Sequence, residues 1–287
     1  MPDASESKLP PALYLVATPV GNLEDITLRA LRVLRSADVI ACEDTRHTQK
    51  LLNHFDIHTR TTSYHEHNES ERAQALVAEI TAGRSIALVS DAGTPGINDP
   101  GYRIVQSAIA AGVTIVPVPG AVAAINALIA SGLPTDSFYF GGFLPPRAGE
   151  RRSALESLAP RQETLVLYEA PHRLLVALAD IRDVLGADRR VCIARELTKV
   201  HEEFLRGAVT EVLQTLEQRG EVRGEITLVI AGATSAPTSQ TATISERVRA
   251  LMKSGEDEKS ALKTAAKEFG MGKSEAYREW QRNKSRR

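Results

Sequence analysis

Cysteine is almost absent from this 287-residue sequence: only Cys42 and Cys192 occur, each inside a short apolar run. Two isolated thiols exclude a disulfide framework, and no Cys/His cluster has the spacing of a zinc site. Buried, reduced cysteines on strands are the expectation. Long apolar runs are also missing, so no segment approaches the ~20 residues of a membrane-crossing helix. The start, Met1 to Pro11, is polar and lacks the apolar core of a secretory signal, which leads us to expect a cytoplasmic protein. Neither charge dominates: 35 basic residues stand against 36 acidic ones, a net charge of -1. That balance does not exclude a nucleic-acid partner, because the basic footprint that matters is local. The sequence contains no Gly-x-x-x-x-Gly-Lys-Ser/Thr phosphate loop and no Gly-x-Gly-x-x-Gly dinucleotide fingerprint, and it has no internal repeat.

From Leu13 onward, strand-like apolar runs alternate with helix-like ones, the pattern of an α/β protein. The first run, 13–18, reads as a buried strand. Further strands are expected over 38–42, 61–64, 86–90 and 113–118, with helices over 45–54, 69–81 and 102–111. These elements make one lobe, 12–118. A second lobe, 119–233, is expected to open with a helix over 121–131. Its strands are expected at 138–140, 164–168, 190–195 and 226–231, with a hairpin around 202–207. That mixture predicts a sheet that is not purely parallel. Thr234 to Thr243 is rich in Ser, Thr, Ala and Pro and reads as a linker. After it, 244–287 carries three short helical patterns with the spacing of a helix-turn-helix, or equally of a small packing bundle. Its end, 273–287, holds six basic and two acidic residues, with Tyr277 and Trp280 set between Arg278 and Arg282. Phosphate contact and base stacking suit that composition, as does a solvated charged helix.

Four loops fall at the expected carboxyl ends of strands, where open α/β sheets place their ligands. Ser90-Asp91-Ala92-Gly93-Thr94-Pro95-Gly96-Ile97-Asn98-Asp99-Pro100-Gly101 is the most informative. Three glycines and two prolines exceed what a turn requires, and they give a fixed path along which backbone can approach a ligand. The others are Thr18-Pro19-Val20-Gly21-Asn22, Pro119-Gly120-Ala121-Val122-Ala123 and Tyr168-Glu169-Ala170-Pro171-His172-Arg173. Each, taken alone, is also compatible with a plain strand-to-helix junction.

Together, and in this order, these segments resemble the tetrapyrrole-methylase superfamily. With Glu43-Asp44-Thr45-Arg46, Tyr64-His65-Glu66-His67-Asn68 and Arg195-Glu196-Leu197-Thr198-Lys199, they resemble its ribosomal branch, the 16S rRNA cytidine-2'-O-methyltransferases. The resemblance implies a two-lobed tetrapyrrole-methylase-like fold with a small C-terminal helical (helix-turn-helix-like) appendage. It implies S-adenosyl-L-methionine as methyl donor, 16S rRNA or the small ribosomal subunit as partner, and a homodimer. Cofactor contacts are implied at Ala92, Gly93, Thr94, Ile97, Val122, Ala123, Tyr168, Glu169, Glu225 and Ile226, with Pro19, Gly21 and Asp91 in the flanking loops. Tetrapyrrole-specific relatives open with a Gly-x-Gly-x-Gly-Asp type of loop. Thr-Pro-Val-Gly-Asn here argues against a corrin or porphyrin substrate, which stays as an alternative beside a non-enzymatic adenosine-ligand sensor.

Methylating a ribose hydroxyl requires positioning of the acceptor and removal of its proton. Glu43, Asp44, Arg46 and His65 follow strands of the first lobe, and Glu196 and Lys199 follow a strand of the second. These six are the candidate catalytic residues: Arg46 and Lys199 for phosphate, the others for the proton or the sugar. Helix capping by Asp44 and a surface position for His65 are the competing expectations. No metal ligand set is expected. Arg147, Arg151 and Arg152 are further candidates for contacting phosphate.

Overall fold

The protein is described by a computed structural model over residues 8–233, 244–253 and 255–284. The expected linker at 234–243 and the last residues of the basic end, 285–287, lie outside the described residues. The chain divides into two compact units, Met1–Ala233 and Thr234–Arg287.

The first unit holds two five-stranded sheets. Strands β1 (Leu13–Val16), β2 (Val39–Cys42), β3 (Thr61–Ser63), β4 (Ile86–Val89) and β5 (Ile115–Val118) pair in the order β3-β2-β4-β1-β5. Every pairing is parallel. Strands β2 and β4 are buried along their whole length, which is why they read as unbroken apolar runs. Helices α1 (Leu28–Ser36), α2 (Thr45–His54), α3 (Glu69–Thr81) and α4 (Tyr102–Ala110) complete the lobe. One core forms around Val16, Leu34, Ile40 and Leu52, and another around Leu13, Leu76, Ile86 and Ile104. Thr27 caps α1 by accepting from the Ala30 amide at 3.0 Å, and Asp44 caps α2 through the Arg46 amide at 2.8 Å. Because the strands are parallel, the loops after all of them gather at a single edge.

The second sheet runs β6-β7-β10-β8-β9, from β6 (Phe138–Phe143), β7 (Thr164–Glu169), β8 (Arg190–Arg195), β9 (Glu203–Ala208) and β10 (Ile226–Ile230). It is mixed: β6 and β7 are parallel, and the remaining pairs are antiparallel. Helix α5 (Ala123–Ser131) packs Ala127 and Leu128 against Val166, Cys192 and Val229. Helices α6 (Ala148–Leu158), α7 (Leu174–Leu185) and α8 (Val209–Arg219) contribute Leu155, Leu178 and Leu213 to a separate core with Leu165 and Leu228. Since β10 opposes both neighbours, the ends of β7 and β8 share an edge with its start. Ile226 therefore sits between Glu169 and Arg195.

Several elements differ from expectation for local reasons. Helix α5 starts at Ala123 rather than 121, because the chain first passes close to β1: a Cβ on Gly120 would lie 2.8 Å from that of Ala17. Strand β6 continues to Phe143 through an irregularity at Gly141-Gly142. Helices α7 and α8 add to the elements expected; α7 is apolar on much of its circumference, which blurs the helical period. Both cysteines are free and buried on strands, where desolvation pushes their thiols up.

The second unit consists, among its described residues, of α9 (Ile244–Lys253), α10 (Glu258–Glu268) and α11 (Lys273–Lys284) around its own core. Trp280 belongs to that core at 4% exposure and donates to Glu258 at 2.8 Å, so it is not free to stack on a base. Tyr277 stays exposed. No helix among the described residues is long and apolar enough to cross a membrane.

The buried Arg151, expected as a phosphate contact, is instead structural. Its Nε donates to Asp180 at 2.7 Å and a terminal nitrogen donates to the Pro146 carbonyl at 3.1 Å. Arg152 holds the other Asp180 oxygen at 2.9 Å. Removing one partner of a buried pair leaves an uncompensated charge. Asp180→Ala should therefore destabilise the first unit by about 3–5 kcal/mol in denaturant unfolding. A loss below about 1 kcal/mol would show that the guanidinium finds water or another acceptor.

Candidate active site

Hydrogen bonds tie the loops of the first edge together and join them to the second. Thr18 and Gly93 exchange amide hydrogen bonds at 2.8 and 3.1 Å, joining the loops after β1 and β4. Thr94 Oγ1 donates to the Ala121 carbonyl at 3.1 Å, adding the loop after β5. The Asn22 amide donates to Thr198 Oγ1 at 2.9 Å, crossing to the turn after β8 in the other lobe. Gly21 lies so close to that turn that a Cβ would fall 2.5 Å from Lys199 Cγ and 2.8 Å from the Leu197 carbonyl oxygen. Glu196 and Thr198 both take left-handed backbone, with φ of 52° and 65°. Such values are costly for a β-branched residue such as Thr198.

Within the turn, Glu196 Oε1 accepts from Lys199 Nζ at 2.9 Å and from the Glu225 amide at 2.9 Å. Lys199 Nζ also lies 3.1 Å from Glu225 Oε2. The Glu225 amide, followed by the Lys199 ammonium, holds the Glu196 carboxyl below its ordinary range. Burial alone would lower Lys199, but its hydrogen bonds to Glu196 and Glu225 outweigh that and the net shift is upward. Glu196 is thus an ionised anchor for Lys199 and poorly suited to receiving a proton.

A cavity of about 660 Å³ opens beside this turn. The first lobe lines it with Ala92, Gly93, Thr94 and Ile97, and the helix-opening segment with Val122 and Ala123. The edge of the second sheet adds Tyr168, Glu169, Glu196, Lys199, Glu225 and Ile226. Phe143 and Phe140 pack on the Tyr168 ring with centroids 5.7 and 5.1 Å away. The volume falls within the ~300–1,000 Å³ of small-molecule and cofactor sites. Gly93 has φ +80°, a left-handed backbone that strains any other residue, and a Cβ there would meet Val20 and the Ala121 carbonyl at ordinary contact distance. Glu169 Oε1 holds the Ala170 amide and the Arg173 guanidinium, each at 2.8 Å. Its Oε2 is buried with no hydrogen-bond partner among the described residues. An acceptor so placed is satisfied when a ligand brings the donor.

A second cavity, of about 310 Å³, adjoins the first and shares Val20, Ala92, Lys199 and Glu225 with it. Pro19, Gly21 and Asp91, expected in the cofactor set, line this second space and not the first. The reason is local: Gly21 turns toward Lys199, and Asp91 accepts from the Asp44 amide at 3.2 Å.

Glu43, Asp44, Arg46 and His65 line neither cavity. Asp44 is occupied as the cap of α2, and Arg46 is 90% exposed beside it. The face of α2 turned to the second cavity presents His47, Thr48, Lys50 and Leu51 instead. His65 is half-buried, with Nε2 3.2 Å from the Asn68 amide nitrogen and Nδ1 buried without a partner among the described residues.

The family described as Tetrapyrrole (Corrin/Porphyrin) Methylases matches residues 12–213. Ribosomal RNA small subunit methyltransferase I of Halalkalibacterium halodurans is 56% identical over 77% of this chain and 75% of its own length. The protein of that name from Synechocystis sp. is 48% identical over 92% and 95%. The chain belongs to the small-subunit ribosomal RNA methyltransferase I family. Among solved structures, a cobalt precorrin-4 methyltransferase superposes with TM-score 0.57 at 18% identity, covering 80% of this chain and 97% of its own. Uroporphyrin-III C-methyltransferase from Thermus thermophilus, complexed with S-adenosylhomocysteine, gives 0.54 at 21% identity over 77% and 97%. These likenesses establish the two-lobed fold that the family shares.

Asp99 was quoted in the loop after β4 but not singled out for chemistry, and it lines the first cavity. Burial, then the charges of Glu43 and Asp91, push its carboxyl up to about 6. Glu43 is raised too, by burial first and then by Asp91. The influence of Glu43 and Asp91 on Asp99 had no sequence signature, since the three come from 43, 91 and 99. A raised carboxyl favours the folded state when protonated. Asp99 therefore contributes stability below its ordinary value of 3.8 that is lost as the pH rises through about 6. In unfolding experiments Asp99→Asn should gain on the wild type across that window and level off above about pH 7. Parallel pH profiles for the two proteins would contradict the shift.

Proposed function

We propose that this chain transfers the methyl group of S-adenosyl-L-methionine to the 2'-hydroxyl of a cytidine in 16S ribosomal RNA. The observation that carries the reading is the pair of adjoining cavities at the common edge of the two sheets, with Lys199 on the wall of both. The relatives' printed names, ribosomal RNA small subunit methyltransferase I, support the substrate class.

When bound, S-adenosyl-L-methionine supplies an electrophilic methyl group on a sulfonium, so the protein's task is orientation. The loop at Ala92–Thr94 and Ile97, with Val122 and Ala123, would hold one side of it, and Tyr168, Glu169 and Ile226 the other. The carboxyl groups of Asp99, Glu169 and Glu225 in the first cavity's lining suit a cation. The ammonium of Lys199, fixed by Glu196 and Glu225, stands where the two spaces meet and favours negative charge developing on an acceptor oxygen. A homodimer belongs to the same proposal; exposed Ile125 and Ile129 on α5 supply apolar surface for it.

The test is transfer of labelled methyl to small ribosomal subunits lacking the modification, followed by mapping of the labelled nucleotide. A labelled cytidine resistant to alkaline cleavage at its 3' side is expected, and label on a base or on no RNA would overturn the reading. Gly93→Leu should abolish cofactor binding in calorimetry while the protein stays folded, because the added side chain fills the space where backbone meets ligand. Wild-type affinity in that variant would remove the loop from the site.

A further inference from the structure

We propose that the second cavity, between the loop after β1 and helix α2, is the seat of the target ribonucleotide, with His47 and Lys50 contacting its flanking phosphates. This rests on the reading that the chain methylates RNA.

The first cavity is already of cofactor size, and the acceptor oxygen must come within bonding reach of the group transferred from it. The second cavity is its neighbour through a shared wall, and Lys199 and Glu225 are held on that wall by their ion pair. Its remaining surface has two kinds of chemistry. Pro19, Leu23 and Leu51 offer apolar contact to a flat base. His47 and Lys50 lie one helical turn apart on α2, both exposed, and neither side chain is in an ion pair among the described residues. Most other cations near the site are engaged: Arg195 with Glu203, Arg173 with Glu169, and Lys199 as described. Cations that the fold leaves uncommitted are the ones available to a phosphate.

Asp91 adds the third requirement of a ribonucleotide. Its Oδ1 is fixed by the Asp44 amide, so the carboxylate is held in place on the cavity wall. We assign it as the acceptor of a hydrogen bond from the ribose hydroxyl. A single nucleotide that leaves its stack to occupy such a pocket is the usual solution for enzymes that modify a nucleotide in structured RNA. Arg46, by contrast, points away from the cavity and has no place in this arrangement.

The experiment uses the full chain, small ribosomal subunits lacking the modification, and a short single-stranded ribo-oligonucleotide. His47→Ala/Lys50→Ala should raise the half-saturating subunit concentration on the order of tenfold or more. It should weaken oligonucleotide binding, read by fluorescence anisotropy without cofactor, and make its salt dependence shallower by roughly one to two in log–log slope. Cofactor affinity by calorimetry should be unchanged, which also verifies folding. Asp91→Asn, which keeps the oxygen facing the Asp44 amide, should lower the maximal rate at saturating subunits with little change in half-saturation. Unchanged half-saturation and salt slope in the double variant would overturn the proposal. If the wild-type chain methylates no RNA, the underlying reading fails and the proposal with it. A wild type that methylates RNA alongside indifferent variants sinks the proposal alone.

Discussion

Lys199 is held by two carboxylates, Glu196 at 2.9 Å and Glu225 at 3.1 Å, on a turn whose backbone is left-handed at two non-glycine residues. Each such residue costs on the order of 1–3 kcal/mol, so the turn persists because its surroundings determine it. Those surroundings are visible. Glu196 accepts from the Glu225 amide, Thr198 donates its amide to Glu202 at 2.7 Å, and the Asn22 amide of the other lobe donates to Thr198 Oγ1. The glycine at 21 is what lets the first lobe approach the turn at all. Both cavities take part of their wall from this junction, so the strained turn, the glycine and the ammonium form a single constraint.

The electrostatics of the site follow from the same junction. Lys199 brings an ammonium whose partners keep it charged, Asp99 lines the first cavity with raised proton affinity, and Glu43, outside both cavities, is raised as well. Both carboxyls are raised first by burial and then by neighbouring carboxylates, Asp91 beside Glu43 and Glu43 with Asp91 beside Asp99, so a cation brought near them would lower their proton affinity and be held in return. Glu196 has the reverse environment. The hydrogen bonds that position Lys199 stabilise the carboxylate, and a group stabilised as the anion makes a poor base. The division of labour among these carboxylates is therefore set by their neighbours.

Much of the fold was legible in the sequence because its signals are local. The buried strands are unbroken apolar runs, and β8 over Arg190–Arg195 was read with its observed bounds. The Gly/Pro loop after β4 declared itself by composition, and it lines the first cavity through Gly93 and Thr94. What could not be read depends on how elements are rotated and paired. On α2, Thr48 and Leu52 are buried one turn apart, which turns His47 and Lys50 toward the second cavity and Arg46 to solvent. Charge alone names Arg46, whereas which residues of the helix face a cavity depends on its rotation, and that is decided by the buried pair. Trp280 shows the same limit, because an aromatic between arginines fits either stacking or a core, and only packing tells them apart. Asp99 was not legible because its raised carboxyl comes first from burial in the fold and then from Glu43 and Asp91, one contributed by another strand's loop and one from earlier in its own.

The contact on which both cavities depend is open to a direct test. Gly21→Ala adds a single methyl group that would lie 2.5 Å from Lys199 Cγ and 2.8 Å from backbone of the same turn. The three atoms nearest to it all belong to that turn. Single-turnover methyl transfer with saturating cofactor and RNA should fall by roughly 10²-fold, as expected for a displacement of about 1 Å at a site that works by positioning. The protein should stay folded and still bind cofactor, with an unfolding midpoint lowered because the Leu197 backbone must give way. A Gly21→Ala protein that transfers methyl at the wild-type rate would show that the junction at Lys199 does not govern the chemistry.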